Sequence, residues 1–408
     1  LCDPATNPAQ TAPNCTATSV TVPNVGTYTV ASTGVVTFTP VSGYTGTPAT
    51  SVTYQVSDNL GQVASSTYTP NVYAVTTAAP DTTSGPLNTA QTFNLTTNDI
   101  AGFGATIDPT TVKLCDPTTT PPQQPNNCTV GSGSTISVPN VGTYTVDANG
   151  VVTFTPVNGY TGTPAALPYQ VTDNKGQVAT STYTPTVYGA PTATPNTTSG
   201  PLNTAQTVNI LTNDTAATGT TLTPSTVKLC DPAVPETSPN CTVAPGSTIT
   251  VANVGTYSVT ATGDITFTPV TGYTGTPAPL NYQVSDALGQ KATSTYTPTV
   301  YGAPIATSNS TTGAMNIPQS VNVTTNDTAG AGTILDATTV KLCSAGQTAP
   351  NCSATSITVP NVGTYTVAST GVVTFTPTAT YTGTPAGVTY QVRDNKGQAA
   401  NSTYQPSV

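Results

Sequence analysis

The chain has 408 residues, of which 7 are Lys or Arg and 16 are Asp or Glu, giving a formal net charge of −9. Histidine and tryptophan are absent, which excludes a serine-type catalytic triad, a histidine-ligated metal centre and histidine acid–base catalysis. The few basic residues provide no positive surface for nucleic acid, and no apolar run approaches the roughly 20 residues of a membrane-spanning helix.

The residues that are abundant favour β-structure. Thr, Val and Tyr are typical of strands, and 38 Pro and 34 Gly interrupt these strands with turns. Hydrophobic residues make up only 36% of the chain. Disordered chains, however, are poor in aromatic and β-branched residues and carry high charge, which is the reverse of this composition. The composition therefore predicts a folded, all-β protein with thin cores.

Internal repeats define the organisation of the chain. Val-Gly-Thr-Tyr and Tyr-Thr-Gly-Thr-Pro each occur four times in the same order, and Leu-Cys recurs at 1–2, 114–115, 229–230 and 342–343. The resulting periods of 113, 115 and 113 residues suit one β-sandwich of about 100 residues and exceed a solenoid unit. The sequence therefore predicts four tandem domains, at 1–75, 76–189, 190–302 and 303–408.

The first of these domains is predicted to be incomplete at its N-terminus. It has no counterpart of the stretch Thr76–Lys113, which precedes the Leu-Cys pair of the second domain. We expect the missing strands to precede Leu1 in the same polypeptide, as part of a longer array.

Alternation of side chains predicts the strands within each domain. In the second domain, Tyr144 and Phe154 lie on the inward faces of two strands whose outward faces carry Thr, and residues 147–150 join these strands as a hairpin. Further predicted strands cover 169–171, 177–179, 206–211 and 225–229. Many short strands, with short proline-bearing junctions between domains, predict Ig-like antiparallel β-sandwiches in an elongated rod.

Each domain contains two cysteines. The pairs are Cys2 and Cys15, Cys115 and Cys128, Cys230 and Cys241, and Cys343 and Cys352, and their separation drifts from 13 to 11 to 9 residues. A drifting separation suits a disulfide, because a metal site or redox motif has fixed spacing and zinc needs four thiolates. The sequence therefore predicts four disulfides within domains, no metal, no cofactor and an oxidising, extracellular location.

The recurrent aspartates and the recurrent lysines each have two possible interpretations. The aspartates are either calcium ligands or turn caps, and we favour caps because calcium needs several carboxylates among its ligands. They are Asp99, Asp214 and Asp327 in Thr-Asn-Asp segments, and Asp58, Asp173, Asp286 and Asp394 in the second hairpin of each domain, which in the second domain joins the predicted strands 169–171 and 177–179. Lysines two positions before a first cysteine are either solvated strand residues, which we favour, or partners in an isopeptide bond. They are Lys113, Lys228 and Lys341.

The longest repeated block covers residues 138–164 and contains Val-Pro-Asn-Val-Gly-Thr-Tyr, Val-Val-Thr-Phe-Thr-Pro and Gly-Tyr-Thr-Gly-Thr-Pro. Together with the Tyr-Gln-Val segment that follows it and the Thr-Asn-Asp segments, this block resembles the CshA-type fibril repeat of bacterial surface adhesins, and the resemblance extends over all four domains. In such adhesins the repeats stack in tandem as the shaft of a fibril. The resemblance implies an extracellular structural role at the cell surface and identifies no ligand.

These observations predict the non-enzymatic shaft of a bacterial surface fibre. Its expected partners are the neighbouring repeats of the same long chain and, through lateral packing, other fibres. The alternative is an adhesin module that binds a component of a host or neighbouring cell surface, which would need an elaborated site in one domain. An enzyme is disfavoured because no domain concentrates acids or pairs a nucleophile with a base.

Overall fold

The computed structural model describes residues 1–6, 8–234 and 241–408. The chain divides into two compact units, Leu1–Gly189 and Ala190–Val408, and each contains two of the predicted repeats. Within the described residues the regular structure is β-strand, apart from a 3-10 helix at Ile210–Thr212. This part of the chain holds no helix with the length and apolar character needed to cross a membrane.

The unit Leu1–Gly189 contains the first and second repeats. The first repeat has β1 (Ser19–Val22), β2 (Gly26–Val30), β3 (Val36–Pro40), β4 (Val52–Ser57) and β5 (Val63–Tyr68). The second has β6 (Asp81–Pro86), β7 (Gln91–Asn94), β8 (Ile107–Leu114), β9 (Thr135–Val138), β10 (Gly142–Val146), β11 (Val151–Pro156), β12 (Leu167–Asp173) and β13 (Val178–Tyr188). The sheets are β1-β2-β3 and β4-β5 in the first repeat, and β6-β13-β12-β8 and β7-β11-β10-β9 in the second.

The unit Ala190–Val408 contains the third and fourth repeats. The third repeat has β14 (Asn196–Pro201), β15 (Gln206–Asn209), β16 (Leu222–Leu229), β17 (Thr248–Val251), β18 (Gly255–Val259), β19 (Asp264–Pro269), β20 (Leu280–Asp286) and β21 (Lys291–Tyr301). The fourth has β22 (Asn309–Thr312), β23 (Gln319–Asn322), β24 (Leu335–Leu342), β25 (Ser356–Val359), β26 (Gly363–Val367), β27 (Val372–Pro377), β28 (Val388–Asp394) and β29 (Ala399–Ser407). The sheets are β14-β21-β20-β16, β15-β19-β18-β17, β22-β29-β28-β24 and β23-β27-β26-β25. The prediction of all-β, tandem β-sandwich repeats is confirmed.

One predicted strand ends earlier than expected. The strand predicted at 206–211 stops at Asn209, where the chain turns into the 3-10 helix Ile210–Thr212. The side chain of Asn209 accepts the backbone N–H of Leu211 at 3.0 Å. Such a local side-chain bond gives the backbone an alternative to the sheet ladder, and for this reason the strand ends here.

The core of each complete repeat lies between its two sheets. In the second repeat, Tyr144 of β10 and Phe154 of β11 are fully buried and their ring centroids are 4.7 Å apart. The ring of Tyr183, on β13 of the other sheet, meets Tyr144 edge-on at 6.4 Å. The alternation predicted for β10 is confirmed, because its buried residues are separated by partly exposed threonines. Aromatic pairs of this kind each add about 0.5–1.5 kcal/mol beyond area burial.

The first and last strands of each complete repeat pair in parallel. β6 lies beside β13, from Asp81 opposite Tyr183 to Pro86 opposite Tyr188. β14 pairs with β21, and β22 with β29, in the same direction. Side-chain alternation indicates which face of a strand is buried but carries no information on the direction of its neighbour. The sequence therefore indicated antiparallel strands throughout, and this pairing became visible only in the structure.

The first repeat, within the described residues, has no strands that correspond to β6, β7 and β8, and its apolar side chains are less covered. Val56 is 61% exposed, whereas Val171, in the corresponding Tyr-Gln-Val segment of the second repeat, is 0% exposed. An open cleft of about 580 Å³ is lined by Leu1, Val30, Gly34, Val36, Tyr54, Gln55, Val56 and Tyr68. In the second repeat, Leu95 and Val112 complete the core on this side.

Candidate functional site

Disulfides close one loop in each repeat. They join Cys2 to Cys15, Cys115 to Cys128, Cys230 to Cys241 and Cys343 to Cys352, with Cα atoms 4.2–4.4 Å apart. No free cysteine is present in the described residues. In the complete repeats the first cysteine directly follows β8, β16 or β24, the strand at one edge of its sheet. By loop entropy each bridge adds about 3 kcal/mol to the stability of a thin-cored repeat.

A glutamine in each Tyr-Gln-Val segment binds the second cysteine of the loop. The backbone N–H of Cys128 donates to Gln170 Oε1 at 3.1 Å, and Gln170 is 9% exposed. The corresponding pairs are Cys15 with Gln55, Cys241 with Gln283, and Cys352 with Gln391. The sequence prediction missed this role, although a polar residue that recurs between an inward Tyr and an inward Val was a signal for it.

The three recurrent lysines lie beside these glutamines in the sheet. Lys113 is opposite Gln170 in the β8–β12 ladder, and the lysines at 228 and 341 are opposite the corresponding glutamines. Lys113 is exposed and the other two are half-buried. A solvated lysine on an edge strand stays our interpretation of all three positions, with the isopeptide bond as the alternative.

The hairpin aspartates bind the backbone of their own turns. Asp173 Oδ1 accepts the N–H groups of Lys175 and Gln177, each at 2.9 Å. The same pair of bonds is made by Asp58, Asp286 and Asp394. This is the pattern of a turn-capping side chain.

In residues 1–6, 8–234 and 241–408, no group of three or more His, Cys, Asp or Glu side chains is placed to hold a metal ion.

In each complete repeat, the aspartate of the Thr-Asn-Asp segment binds both the backbone just before the first strand and the hydroxyl of a buried tyrosine. Asp99 Oδ1 accepts the N–H of Ala79 at 2.9 Å and the hydroxyl of Tyr169 at 3.2 Å. Asp214 and Asp327 make the corresponding bonds to a backbone N–H and a tyrosine hydroxyl. Burial raises the pKa of all three carboxyls, and the hydrogen bonds offset part of this shift.

The junction between the first and second repeats is held by the second hairpin. Gln177 Nε2 donates to the carbonyl oxygen of Ala74 at 2.9 Å, and its position is fixed by a further bond to Asp173 Oδ2 at 3.1 Å. The Lys175 ammonium lies 4.9 Å from the centre of the Tyr73 ring. The downstream hairpin therefore binds both the backbone and the last aromatic ring of the upstream repeat.

The junction between the third and fourth repeats has the same construction. Gln398 Nε2 donates to the carbonyl oxygen of Gly302 at 2.8 Å, and the Lys396 ammonium lies 4.7 Å from the centre of the Tyr301 ring. A hydrogen bond with Ser199, together with the Lys396 charge, lowers the pKa of Tyr301. From the upstream repeat, the backbone N–H of Leu202 donates a hydrogen bond to Gln398 Oε1 at 3.4 Å.

At both junctions, a glycine of the downstream repeat lies directly against a backbone carbonyl of the upstream repeat. A Cβ atom added to Gly102 would overlap the Ala74 carbonyl oxygen, and one added to Gly330 would overlap the Gly302 carbonyl oxygen. Each cation–π contact contributes about 0.5–1 kcal/mol and each hydrogen bond about 0.5–1.5 kcal/mol. Together these contacts hold adjacent repeats of one compact unit in a defined orientation.

Comparison with solved structures gives matches of low sequence identity and low TM-score. An I-band fragment of titin is 9% identical with a TM-score of 0.31, and covers 83% of this chain and 99% of its own. Immunoglobulin domains 1–5 of Sidekick-1 are 12% identical with a TM-score of 0.34, covering 93% of this chain and 70% of their own. The human Desmocollin-1 ectodomain is 12% identical with a TM-score of 0.29, covering 93% and 71%.

No curated protein sequence matches the chain significantly. The family model of the surface adhesin CshA repetitive domain, in contrast, matches residues 6–72, 74–187, 189–300 and 302–408. These four matches cover nearly the whole chain in the order of the four repeats, and the suspected resemblance is thereby confirmed. The chain belongs to the family of surface adhesin CshA repetitive domains.

Proposed function

We propose that this chain is a load-bearing, non-enzymatic part of the shaft of an extracellular fibre on a bacterial surface. The observation that carries the proposal is the parallel pairing of the terminal strands, exemplified by β6 and β13. The chain enters the repeat at the N-terminal end of β6 and leaves it at the C-terminal end of β13. Because the two strands run in the same direction, tension pulls them in opposite directions along their axes.

This geometry distributes a pulling force over the whole strand pair. Six residue pairs connect β6 to β13, and six connect β14 to β21. Under shear all bonds of such a ladder are loaded together, whereas a hairpin that is peeled from its end loses its bonds one at a time. The arrangement suits a protein whose ends are pulled apart, as they are in a shaft that holds a cell to a surface.

The junctions and disulfides support the same role. Hydrogen bonds from Gln177 and Gln398, with the lysine–tyrosine contacts beside them, resist bending between repeats of one unit. The disulfides keep the longest loops closed when a repeat is stretched. Membership in a surface adhesin family supports a location outside the cell, and the disulfides are in keeping with an oxidising compartment.

Single-molecule force spectroscopy on the 408-residue chain, held at its two ends, tests the proposal. Under oxidising conditions we expect three high-force events of about 30 nm each, because roughly 95 residues of a complete repeat extend by 3.3–3.6 Å each while the disulfide loop stays closed. The first repeat should yield at a lower force, since its β5 has no parallel partner among the described strands.

A double variant, Cys230→Ala with Cys241→Ala, assigns one event to the third repeat. Its event should lengthen by about 4 nm, because the 11-residue separation of these cysteines becomes extensible. Complete repeats that yield at or below the force of the first repeat would overturn the load-bearing role. Saturable binding of the soluble chain to host or bacterial cells would instead favour the ligand-binding adhesin module.

A further inference from the structure

The first residue of the first strand differs between the complete repeats. It is an aspartate, Asp81, in the second repeat and an asparagine, Asn196 and Asn309, in the third and fourth. All three side chains are buried, with 2%, 6% and 9% exposure respectively. The position is therefore internal in every complete repeat, but its hydrogen-bonding capacity changes.

The asparagine side chain acts as a hydrogen-bond donor within a group of oxygens. Asn196 Nδ2 donates to the carbonyl oxygens of Thr194 and Ile210 at 3.0 and 3.3 Å, and to the hydroxyl of Tyr282 at 3.2 Å. Asn309 makes the same three bonds at the same distances. An amide nitrogen, which carries two hydrogens, suits this environment of acceptors.

Asp81 enters the same environment without a hydrogen to donate. Its surroundings contain the carbonyl oxygens of Ala79 and Leu95, both 3.2 Å from the Tyr169 hydroxyl, and the carboxylate of Asp99. Neither carboxylate oxygen of Asp81 has a hydrogen bond of good geometry. An ionised carboxylate is strongly disfavoured in such a place, and a buried group of this kind takes up a proton instead.

Among the groups that face Asp81, the carboxylate of Asp99 increases the preference for a protonated Asp81. Asp99, on the loop after β7, is negatively charged when ionised, and Tyr169 of β12 and Tyr183 of β13 are the other titratable side chains that face it. Burial and the Asp99 charge raise the pKa of Asp81 to about 6, although the Tyr169 and Asn98 side chains offset part of the effect.

We propose that the Asp81 carboxyl is protonated in the folded second repeat at acidic pH, where it donates a hydrogen bond as the asparagine amide does in the other repeats. The second repeat is then an acid-stabilised element within an array whose other complete repeats lack this titrating group. A proton fits the position because it makes the carboxyl group neutral and gives it an O–H donor, where the asparagine side chain of the same shape has its N–H donors.

The direction of the pH dependence follows from the raised pKa. The contribution of Asp81 to stability is fully present below its unfolded pKa of about 4 and is lost as the pH rises through about 6. A difference of about two pKa units corresponds to roughly a hundredfold change in the unfolding equilibrium constant. The loss is confined to the repeat that carries the aspartate.

Hydrogen exchange measured by mass spectrometry on the full chain tests this inference, with Asp81→Asn as the main variant. At pH 7.5 we expect the most protected amides of β12 and β13 to exchange up to about a hundredfold more slowly in the variant than in the original chain. At pH 4 the two chains should agree within about threefold. The third and fourth repeats serve as internal standards.

The converse variant, Asn196→Asp, should transfer the pH dependence to the third repeat. An effect of Asp81→Asn that is the same at pH 4 and pH 7.5 would overturn the inference, since it would show that the carboxyl does not titrate between them. Addition of 1 mM CaCl₂ at pH 7.5 provides a further arm. Slower exchange of the second repeat in the presence of calcium, absent in Asp81→Asn, would overturn the protonation of Asp81 and would indicate a bound cation instead.

Discussion

Replacement of Gln206 by leucine should destabilise the third repeat by removing a link between its two sheets. Gln206 lies on β15 and is 6% exposed. Its Nε2 atom donates to the carbonyl oxygen of Thr299 on β21 at 2.9 Å, and its Oε1 atom accepts the hydroxyl of Thr198 on β14 at 2.6 Å. The Thr198 hydroxyl also lies 2.7 Å from that of Tyr296 on β21, so side chains from the three strands β14, β15 and β21 meet at this point.

The expected cost follows from the groups that lose a partner. Leucine has a similar size but leaves the Thr299 carbonyl without this donor and the Thr198 hydroxyl without this acceptor. A buried polar group that loses its partner costs about 1–3 kcal/mol, and Thr198 keeps its contact with Tyr296. We therefore expect a loss of about 3 kcal/mol in the free energy of unfolding of this repeat, or roughly a hundredfold in the unfolding equilibrium constant.

Hydrogen exchange of the full chain measures this loss repeat by repeat. Amides of β14 and β19 should exchange about a hundredfold faster, while those of the second and fourth repeats are unchanged. Thr207→Val is the matched control, because Thr207 is on the same strand but its hydroxyl is exposed, and it should change stability by less than about 0.5 kcal/mol. Thr198→Val should lower the free energy of unfolding less in the Gln206→Leu background than in the original chain, because the two side chains share a hydrogen bond. A loss below 1 kcal/mol, or equal losses in all repeats, would refute the reasoning.

Three further predictions concern the disulfides, metals and junctions. Mass spectrometry of non-reduced peptides should show the four links within repeats, and a free thiol or a link between repeats would contradict both the pairing and the extracellular location. Thermal melts with calcium and with a chelator should agree, because the hairpin aspartates bind backbone N–H groups; a drop of several degrees with chelator would contradict turn capping. Gln398→Ala should speed exchange around Gly302 about fivefold, through loss of a bond of about 1 kcal/mol. Lys341→Ala, in the same repeat, should leave the junction unchanged.

Much of the architecture could be predicted because it is encoded by short-range patterns. The period of the repeated strings gave the four-fold tandem arrangement, and alternation gave the buried residues of β10 and β11. The hairpin at 147–150 forms as predicted, with Gly150 N–H bound to the Asp147 carbonyl and Asp147 N–H to the Val151 carbonyl. Such features depend on residues that are close in sequence, so a single chain suffices to show them.

The sequence did not indicate features that depend on residues far apart in the chain. The roles of Gln206 and Gln170 in linking strands, and the contact of Gln177 with the preceding repeat, join residues tens of positions apart. In sequence Gln206 and Gln177 were only polar residues of a Thr-rich chain, and Gln170 was marked only by its recurrence between a Tyr and a Val. Asp81 was likewise one aspartate among fifteen, and only its burial among acceptors distinguishes it from the turn-capping aspartates.

The sequence by itself thus determined the class of the fold, the repeat number and the candidate cysteine pairs, because hydrophobic periodicity and spacing are local properties. Tertiary structure alone decided that β6 runs parallel to β13, and with it that the chain enters and leaves a repeat at opposite ends. It also decided which polar side chains are buried. Both depend on which distant segments pack together, and the free energy of that packing is a property of the whole repeat, which no short stretch of sequence records.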